Sequence, residues 1–403
     1  MADFYQAGAI TTLHRIGRPK SEKLLAELEL YSNVRPLALV LPALYSDVMG
    51  EAMKGICAEL KTARFVKEIV LALGPATDHE FRTVRDFLTM LPQKVSIVHT
   101  GGKRIGELYR TLAEHGVSAG RDGKGRSAWT SYGYVLSRAE CHAIALHDCD
   151  IITYSLDLLG RLCYPVLNPT LDYVFCKGYY ARASDRLHGR VTRLFLTPLV
   201  RALRKMTSDN PFLEFLDTFR YPLSGEFCMV TDLARINRIP WDWGLEVGVL
   251  GEVYRNYSTK RICQADIADN YEHKHQGLSA EDPERGLMKM SIDIAKSLFR
   301  TLASEGIVFT DAFFKTLVAA YLKIAEDSII RYEGDAAING LSFDRHEEAM
   351  AVDAFTRAIA KAAEIIETNP LGATLIPNWN RVISAIPGVL ERLRAAVEED
   401  NSR

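Results

Sequence analysis

Apolar runs of strand length alternate with helical patterns four times between residues 36 and 148. The runs are PLALVLPAL (36–44), VKEIVLALG (66–74), KVSIVHT (94–100) and CHAIALHD (141–148), and the helical patterns cover residues 49–65, 79–91, 104–116 and 127–140. Strands that are apolar throughout and joined by helices are typical of a parallel sheet covered on both faces. The sequence therefore predicts an α/β fold, and in such sheets ligands bind at the carboxyl ends of the strands.

The flanking parts of the chain have a different pattern. Residues 3–35 indicate helical segments, residues 155–275 mix helices with short strands such as DYVFCKGYY and GEFCMV, and residues from about 281 onward indicate four helices, the last reaching about 399. We therefore expect an N-terminal helical segment (1–35), an α/β domain (36–280) and a C-terminal helical region (281–403). One apolar stripe in the last region is typical of an internal core or of a homodimer interface: Phe313, Phe314, Leu317, Ala320, Tyr321 and Ile324.

Composition narrows the class of protein. A net charge of −2 over 403 residues gives no bulk electrostatic reason to bind nucleic acid. The sequence contains no apolar run of ~18–20 residues and no signal peptide, so we expect no membrane partner and a cytoplasmic location. Seven scattered cysteines without a C-x-x-C pair indicate reduced thiols, and we expect no chemical role for Cys149.

Two carboxylates, Asp148 and Asp150, stand where the fourth apolar run ends, in HDCDI. Where a strand gives way to a loop, both can turn toward one cation, and carboxylate oxygens suit Mg²⁺ or Mn²⁺. A bridging metal would also remove the repulsion between these acids and a diphosphate. The D-x-D pattern is short and common, and on its own it favours a solvated turn or a helix cap.

A glycine-rich basic stretch, GRDGKGRSAW (120–129), precedes the fourth helical pattern. Glycines around Lys124 at the start of a helix would let backbone amides and an ammonium approach phosphate oxygens. The stretch is not a Walker P-loop, because Ser118 and Gly125 stand where that motif needs glycine and serine or threonine. A flexible basic loop is the alternative.

Three later segments carry further polar side chains. HGRVT places a backbone donor, a guanidinium and a hydroxyl within four residues, SGEF places a carboxylate before an apolar strand, and EHKH places two imidazoles two residues apart. The first suits an anionic ligand and the last a metal, although a solvated helix start and structural histidines are alternatives. These candidates are Gly189, Arg190, Thr192, Glu226, His273 and His275.

Taken in order, these segments resemble a known family. LVLPAL, EIVLALG, GKG, DCD, GRVT with TPLV, PLSGEF, WGLEVGVL and EHKH together resemble the glucosyl-3-phosphoglycerate synthases, retaining glycosyltransferases of the GT-A fold. The resemblance covers roughly residues 36–280. It implies a nucleotide-diphospho-sugar transferase fold with a Rossmann-like, mostly parallel sheet, followed here by an all-helical extension.

The resemblance also implies roles for individual residues. Asp150 and His273 would hold Mg²⁺ or Mn²⁺ with Asp148 close by, and Lys124 would lie near the donor diphosphate. Glu226 would reach the hydroxyls of the transferred sugar, so that Asp150, Glu226 and Arg190 form the catalytic set. The remaining implied contacts are Pro42, Ala43, Leu44 and Gly74 for the donor, and Gly189, Arg190, Thr192 and His275 for the acceptor.

Three positions depart from the family pattern. Ala72 stands in place of an acid at the end of the second strand, which leaves the donor base open between UDP and GDP. Tyr271 stands in place of an arginine and His275 in place of an asparagine, which removes one guanidinium from the acceptor side.

We therefore expect a metal-dependent homodimeric enzyme that moves glucose from UDP-glucose or GDP-glucose to 3-phosphoglycerate. No carboxylate nucleophile is evident, which favours same-face transfer with the leaving phosphate oxygen taking the proton. The alternatives are a mannosyl donor, free glycerate or another small acceptor, and a non-catalytic scaffold that binds sugar nucleotides.

Overall fold

A computed structural model describes residues 6, 8–17, 21–272, 286–369 and 375–402. Its strands are β1 (Thr11–Leu13), β2 (Leu37–Ala43), β3 (Val66–Leu73), β4 (Lys94–His99), β5 (Ala143–Leu146), β6 (Phe175–Tyr180), β7 (Phe227–Val230) and β8 (Ile262–Ala268). Its α-helices are α1 (Ser21–Ser32), α2 (Tyr45–Val48), α3 (Glu51–Leu60), α4 (Asp78–Leu88), α5 (Lys103–Glu114), α6 (Lys124–Arg138), α7 (Leu156–Leu167), α8 (Thr197–Thr207), α9 (Pro211–Thr218), α10 (Thr231–Ile236), α11 (Leu245–Asn256), α12 (Gly286–Ser304), α13 (Asp311–Ile338), α14 (Arg345–Thr368), α15 (Trp379–Ala385) and α16 (Val389–Asn401). A π-helix, Val191–Leu196, runs directly into α8, and a short 3₁₀-helix covers Thr259–Arg261.

The strands form one sheet in the order β1-β8-β6-β7-β5-β2-β3-β4. Neighbouring strands are parallel except at β7, which runs antiparallel to both β5 and β6. The observed sheet, with helices on both faces and a helical C-terminal region, confirms the predicted fold class.

Strand β2 shows why an uninterrupted apolar sequence forms a central strand. Successive side chains of a strand point to opposite faces. Ala38 and Val40 enter the core on one face of the sheet, and Leu37, Leu39 and Leu41 enter the core on the other. The first core is built with α5, α6 and the helices from α8 onward, and the second with α1–α4 and α7. Both faces are therefore buried.

The structure differs from the predicted elements at both ends of the chain. Residues 3–35 were predicted to be helical, but Thr11–Leu13 form β1 and pair in parallel with Cys263–Ala265 of β8. A three-residue strand is too short to give a recognisable alternation. The last predicted helix is two helices, α15 and α16, separated at Pro387 and at Gly388, whose φ is +78°.

The C-terminal helices pack against the rest of the molecule. The apolar stripe of α13 is an internal core, since Phe314, Leu317 and Tyr321 are buried and the Tyr321 hydroxyl donates to the Leu194 carbonyl at 2.7 Å. Within the described parts of the chain, we find no helix long and apolar enough to span a bilayer.

Candidate active site

The antiparallel strand β7 brings an acid to the edge where the parallel strands end. Leu146, the last residue of β5, pairs with Phe227, the first residue of β7, and Lys177 of β6 pairs with the same Phe227. Because β7 starts at this edge, Glu226 lies beside the segment that follows β5. The two halves of the predicted site, Asp148 and Glu226, therefore meet although they are far apart in sequence.

Asp148 is held by a lysine and packed against a glycine. Its Oδ1 lies 2.7 Å from Lys124 Nζ. A Cβ atom placed on Gly225 would lie 2.6 Å from Asp148 Oδ2, which is closer than real Cβ contacts. Residue 225 must therefore be glycine for the Asp148 carboxylate to keep its position next to Glu226.

Lys124 joins two carboxylates. Its ammonium, on the first residue of α6, also donates to Glu246 Oε1 at 3.0 Å. Burial works to lower the pKa of Lys124, but the carboxylates of Asp148 and Glu246 outweigh it and hold that pKa well above its usual value. The lysine therefore stays charged. Glu246, 3% exposed, was not among the predicted site residues, although the motif WGLEVGVL contains it.

The glycines of GRDGKGR also allow close packing at the start of α6. A Cβ atom on Gly123 would lie 2.3 Å from the Trp241 carbonyl oxygen, and one on Gly125 would lie 1.9 Å from the Pro240 carbonyl oxygen. Gly120, with φ +72°, lies against the Trp241 side chain. These glycines allow the chain at 240–241 to pack closely on the start of α6, and that packing fixes the position of Lys124.

Glu226 is fully buried and receives two tyrosine hydroxyls. Tyr180 donates to its Oε2 at 2.6 Å and Tyr271 to its Oε1 at 2.5 Å. The two tyrosine rings stack with centroids 3.8 Å apart. Burial and the nearby charge of Asp148 raise the pKa of Glu226. Tyr271, which stands in place of the family's arginine, thus has a defined contact in this chain.

A buried lysine that the sequence analysis did not single out lies beneath the site. Lys177 of β6 is 1% exposed, and its ammonium donates to the Ser224 carbonyl at 2.6 Å. Burial lowers the pKa of Lys177 to about 8, against the opposing charges of Glu246 and Glu226. Its hydrogen bond fixes the turn that carries Gly225 and Glu226. Lys177 lies in an otherwise apolar strand, FCKGYY, which is the signal that could have identified it.

Asp150 lies close to the segment that leads to the predicted histidine. The Ile152 amide donates to the Glu272 carbonyl at 2.8 Å, and the Glu272 amide donates to Thr153 Oγ1 at 3.1 Å. Glu272, which directly precedes His273 in the sequence, therefore contacts the residue two positions after Asp150. His273 and His275 lie outside the described residues, and among the described ones no cluster of three metal-binding side chains is present.

The predicted donor turn follows β2. The Gly74 amide donates to the Ala43 carbonyl at 2.9 Å, and a Cβ on Gly74 would meet Leu44 at 2.9 Å. Leu44 is 55% exposed, an unusual setting for a leucine. Pro42 lies within β2, paired with Ala72. These residues share the strand edge with Asp148.

The predicted acceptor residues open a long helix. Gly189 has φ +71°, the helix starts at Arg190, and Thr192 is buried in its π-helical turn. Arg190 Nη2 lies 3.1 Å from Glu347 and 3.0 Å from Glu348, both at the start of α14. No local pattern in the sequence indicated that this arginine would contact the C-terminal region.

Aromatic rings connect the acceptor residues to the buried acid. A Cβ on Gly189 would lie 3.3 Å from the Tyr221 ring, whose centroid is 5.0 Å from that of Tyr180. Tyr180 in turn donates to Glu226. The structure thus places the predicted donor, sugar and acceptor residues along one edge, with His273 and His275 outside the described part.

Similarity searches identify relatives that span the whole chain. A glucosyl-3-phosphoglycerate synthase of Persephonella marina is 50% identical over 402 residues, which cover 100% of each chain. A glucosyl-3-phosphoglycerate synthase of Methanococcoides burtonii is 39% identical over 403 residues, which cover 99% of this chain and 98% of the relative. No protein-family model matches the chain.

Solved structures support the same architecture. The crystal structure of glucosyl-3-phosphoglycerate synthase from Mycobacterium tuberculosis in complex with Mn²⁺, UDP and phosphoglyceric acid superposes with a TM-score of 0.53. The match covers 73% of this chain and 87% of that chain at 23% sequence identity. At that identity the superposition establishes the fold.

Proposed function

This chain belongs to the glucosyl-3-phosphoglycerate synthase family, and from that premise we propose that it moves glucose from a nucleotide sugar, UDP-glucose or GDP-glucose, to 3-phosphoglycerate. The observation that carries the proposal is the meeting of Lys124, Asp148 and Glu226 at one sheet edge. These residues meet in a chain that is 50% identical over its whole length to a glucosyl-3-phosphoglycerate synthase. The product would be glucosyl-3-phosphoglycerate.

A divalent metal, Mg²⁺ or Mn²⁺, fits the acids at this edge. The resemblance of DCD to the family's D-x-D makes Asp150 the better metal ligand, with Asp148, which pairs with Lys124, in support and His273 as the predicted further ligand. When bound, the metal would neutralise charge on the departing nucleoside diphosphate. Lys124, kept charged by its two carboxylates, would add a fixed positive charge near the same phosphates.

The other residues would bind and orient the two substrates. Pro42, Ala43, Leu44 and Gly74 would contact the nucleoside, and Glu226 the hydroxyls of the sugar. Gly189, Arg190, Thr192 and His275 would bind the acceptor, so that its hydroxyl lies beside the anomeric carbon. Holding both reactants in this way makes the transfer effectively intramolecular.

The contacts of Glu226 favour same-face transfer without a covalent intermediate. Both of its carboxylate oxygens accept hydrogen bonds from tyrosines, and the group is fully buried. Such a carboxylate is held for recognition of hydroxyls and is poorly available as a nucleophile. The proton of the acceptor hydroxyl would go to the leaving phosphate oxygen. A glycosyl adduct trapped on Glu226 would contradict this.

A donor and acceptor screen tests the proposal. Purified protein would be incubated with UDP-glucose or GDP-glucose, Mg²⁺ and 3-phosphoglycerate, with released nucleotide as the readout. We expect release only when donor, acceptor and metal are all present, and its loss when the metal is chelated. If turnover occurs only with glycerate as the acceptor, or only with a mannosyl donor, the proposed acceptor or donor is wrong.

A non-catalytic scaffold remains the alternative from another class. The variant Asp150→Asn separates the two, because it removes a metal ligand and should abolish turnover while leaving the fold intact. If the protein only binds sugar nucleotides for a partner, this substitution would leave partner binding unchanged and the wild type would show no turnover.

Three further expectations are part of this proposal. The α/β domain would span residues 36–280, with β1 (Thr11–Leu13) added at the edge of its sheet and the helical region after it. The protein would be a homodimer in the cytoplasm, in line with seven free cysteines and with exposed apolar side chains on α13 such as Ile330 and Ile338. Light scattering at several concentrations would test the dimer.

A further inference from the structure

Arg182 has an unusual environment for an arginine. Its Nη1 donates to the Tyr221 hydroxyl at 2.9 Å, while its Nε is buried without a hydrogen-bond partner. Within the described parts of the chain, no carboxylate forms an ion pair with it. Arg182 is half-buried, and a guanidinium that is largely removed from water is normally paired with an anion, because leaving it unpaired is costly.

A helix N-terminus lies near Arg182, and a buried hydroxyl lies in the first turn of that helix. The Tyr221 hydroxyl that accepts from Arg182 also lies against Gly189, whose backbone opens the helix that begins at Arg190. In the first turn of that helix, Thr192 is 6% exposed and its Oγ1 has no hydrogen-bond partner among the described residues. The start of this helix has a buried hydroxyl in its first turn and lies next to a guanidinium that has no ion pair among the described residues, and this combination favours an anion.

The neighbouring Arg190 is different. Its charge is balanced by Glu347 and Glu348 at 3.1 and 3.0 Å. Arg182 is therefore the cation of this loop whose charge the described residues leave uncompensated.

We propose that Arg182 binds the phosphate group of the acceptor, together with the Thr192 hydroxyl. This inference rests on the proposed function. A phosphate has three equivalent oxygens and up to two negative charges, which suit a forked guanidinium, a hydroxyl and a helix N-terminus better than a single carboxylate does. Arg182 thus supplies the second guanidinium that the change to Tyr271 removes from the acceptor side.

The test compares three acceptors in wild type and Arg182→Gln. 3-Phosphoglycerate carries both anionic groups, glycerol 3-phosphate carries only the phosphate, and glycerate carries only the carboxylate. We expect kcat/KM to fall roughly 30- to 100-fold for the two phosphate-bearing acceptors and to change less than about 3-fold for glycerate, since a charged hydrogen bond contributes about 2–3 kcal/mol. Arg182→Lys should lose less, because it keeps the charge.

The matched control is Arg186→Gln, in the same loop. Arg186 is exposed and pairs only loosely with Asp185, at 3.6 Å, so all three acceptors should behave as in the wild type. Binding of the donor nucleotide, measured by calorimetry for each variant, reports that the fold is intact.

Failure of the inference about Arg182 and failure of the proposed function would give different results. If the wild type uses 3-phosphoglycerate but Arg182→Gln and Arg182→Lys reduce all acceptors equally, or none, the inference about Arg182 is wrong and the proposed function stands. If the wild type uses glycerate but neither phosphate-bearing acceptor, the proposed acceptor is wrong and the inference falls with it.

An independent observation concerns the C-terminal region, which contacts residues 182–193, here called the acceptor loop, through one buried acid. Glu348 of α14 is 5% exposed and pairs with both Arg190 and Arg193, at 3.0 and 3.1 Å. Close by, the Ser342 amide donates to the Asp185 carbonyl at 2.7 Å. The acceptor loop is thus bonded to the C-terminal helices at side-chain and backbone level.

We infer that Glu348 is a positioning residue for the acceptor arginine. Its Oε1 accepts from both Nε and Nη2 of Arg190, at 3.1 and 3.0 Å, which fixes the plane of the guanidinium. Nη1 then has no hydrogen bond to a described residue and remains able to donate to a ligand. On the proposed function, acceptor recognition therefore depends on α14.

The variant Glu348→Gln tests this positioning role. We expect the KM for 3-phosphoglycerate to rise about 10-fold, with kcat and the KM for the donor within about 2-fold of wild type, since the lost ion pairs are those with the acceptor arginine and with Arg193 on the same helix. Glu348→Asp should recover part of the acceptor affinity. The control is Glu347→Gln, whose side chain is 48% exposed, and its effect should stay below about 3-fold.

The kinetic pattern decides between positioning and general packing. If Glu348→Gln and Glu348→Asp both lower kcat and raise the KM of donor and acceptor alike, Glu348 is a structural residue and the inference is wrong. An unchanged acceptor KM in Glu348→Gln would contradict it as well. Neither result would bear on the proposed reaction, because that reaction is tested separately by the substrate screen on the wild-type protein.

Discussion

At the scale of single residues, the site depends on carboxylates whose positions are fixed by neighbours from other strands. Asp148 is set between the Lys124 ammonium and the Cα of Gly225, and Glu226 between two tyrosine hydroxyls. An acid held by such contacts keeps its position when substrate binds, and preorganised groups of this kind stabilise the charge that develops in the transition state.

The contact between Gly225 and Asp148 gives the first prediction. In Gly225→Ala the new methyl would lie 2.6 Å from Asp148 Oδ2, so the carboxylate must move. We expect kcat/KM to fall at least about 100-fold, with a loss of about 1–3 kcal/mol in the free energy of unfolding. Steady-state kinetics and urea denaturation measure the two effects.

Gly55→Ala is the matched control. Gly55 lies inside α3 and a Cβ there meets nothing within 4 Å. That variant should keep full activity and gain up to about 1 kcal/mol, because alanine favours a helix. Equal activity of the two variants would contradict the assigned role of Gly225.

The buried Lys177 gives a prediction on pH. Burial lowers its pKa in the folded protein to about 8, against 10.5 for an ordinary lysine. Between these values the unfolded chain binds a proton that the folded chain does not, so the contribution of Lys177 to stability rises with pH in this window. Below pH 8 both states are protonated and the contribution is constant.

Urea denaturation of wild type and Lys177→Met at pH 8 and pH 9.5 measures this contribution. The difference in free energy of unfolding should shift in favour of the wild type by about 2 kcal/mol, since one pKa unit corresponds to ~1.4 kcal/mol. Lys54→Met, an exposed lysine on α3, is the control. A difference for Lys177→Met that stays constant across this range would show that the lysine is not buried as described.

At the scale of elements, close packing of α6 determines where Lys124 lies. Glycines at the start of α6 admit the chain at 240–241, and Gly133 in its middle admits Trp379 of α15. Trp379 stacks on Trp129 with ring centroids 4.0 Å apart. The Trp129 indole donates to the Pro377 carbonyl at 3.0 Å, and the Trp379 indole donates to the Trp129 carbonyl at 3.1 Å. Helix α6 is therefore held at its start and at its middle.

Gly133→Ala tests this packing. The added Cβ would lie 2.0 Å from Trp379 Cζ2, so the helix and the indole must separate. We expect a loss of about 1–3 kcal/mol in the free energy of unfolding, although alanine is the better helix former. Gly106→Ala in α5, where a Cβ meets nothing within 4 Å, should instead be neutral or stabilising. The opposite order of stabilities would contradict the packing of α15 on α6.

The elements also show what could be predicted from sequence. The four apolar strands and their helices were located correctly, because uninterrupted apolar runs with helical patterns between them are a strong signal. β1 was missed because three residues carry no periodicity, and the contacts of Lys177, Glu246 and Tyr271 were missed because they cross between strands that are distant in sequence. Local patterns do not contain that information.

At the scale of the whole molecule, the C-terminal helices are part of the architecture around the cleft. They complete the core on one face of the sheet, and α16 covers the edge strand, where the Asn401 side chain exchanges hydrogen bonds of 2.9 and 2.8 Å with the backbone of Ile97. Such cover protects an edge strand from pairing with another chain. The sequence indicated helices here but not where they would dock.

The measurement that tests the central claim most directly is identification of the product. Wild-type protein with UDP-glucose or GDP-glucose, 3-phosphoglycerate and Mg²⁺ would be followed by NMR, with Asp150→Asn in parallel. We expect glucosyl-3-phosphoglycerate with the anomeric configuration of the donor, formed by the wild type and absent with Asp150→Asn. A product of inverted configuration would contradict the proposed stereochemistry. No glucosyl-3-phosphoglycerate with either donor would contradict the account itself.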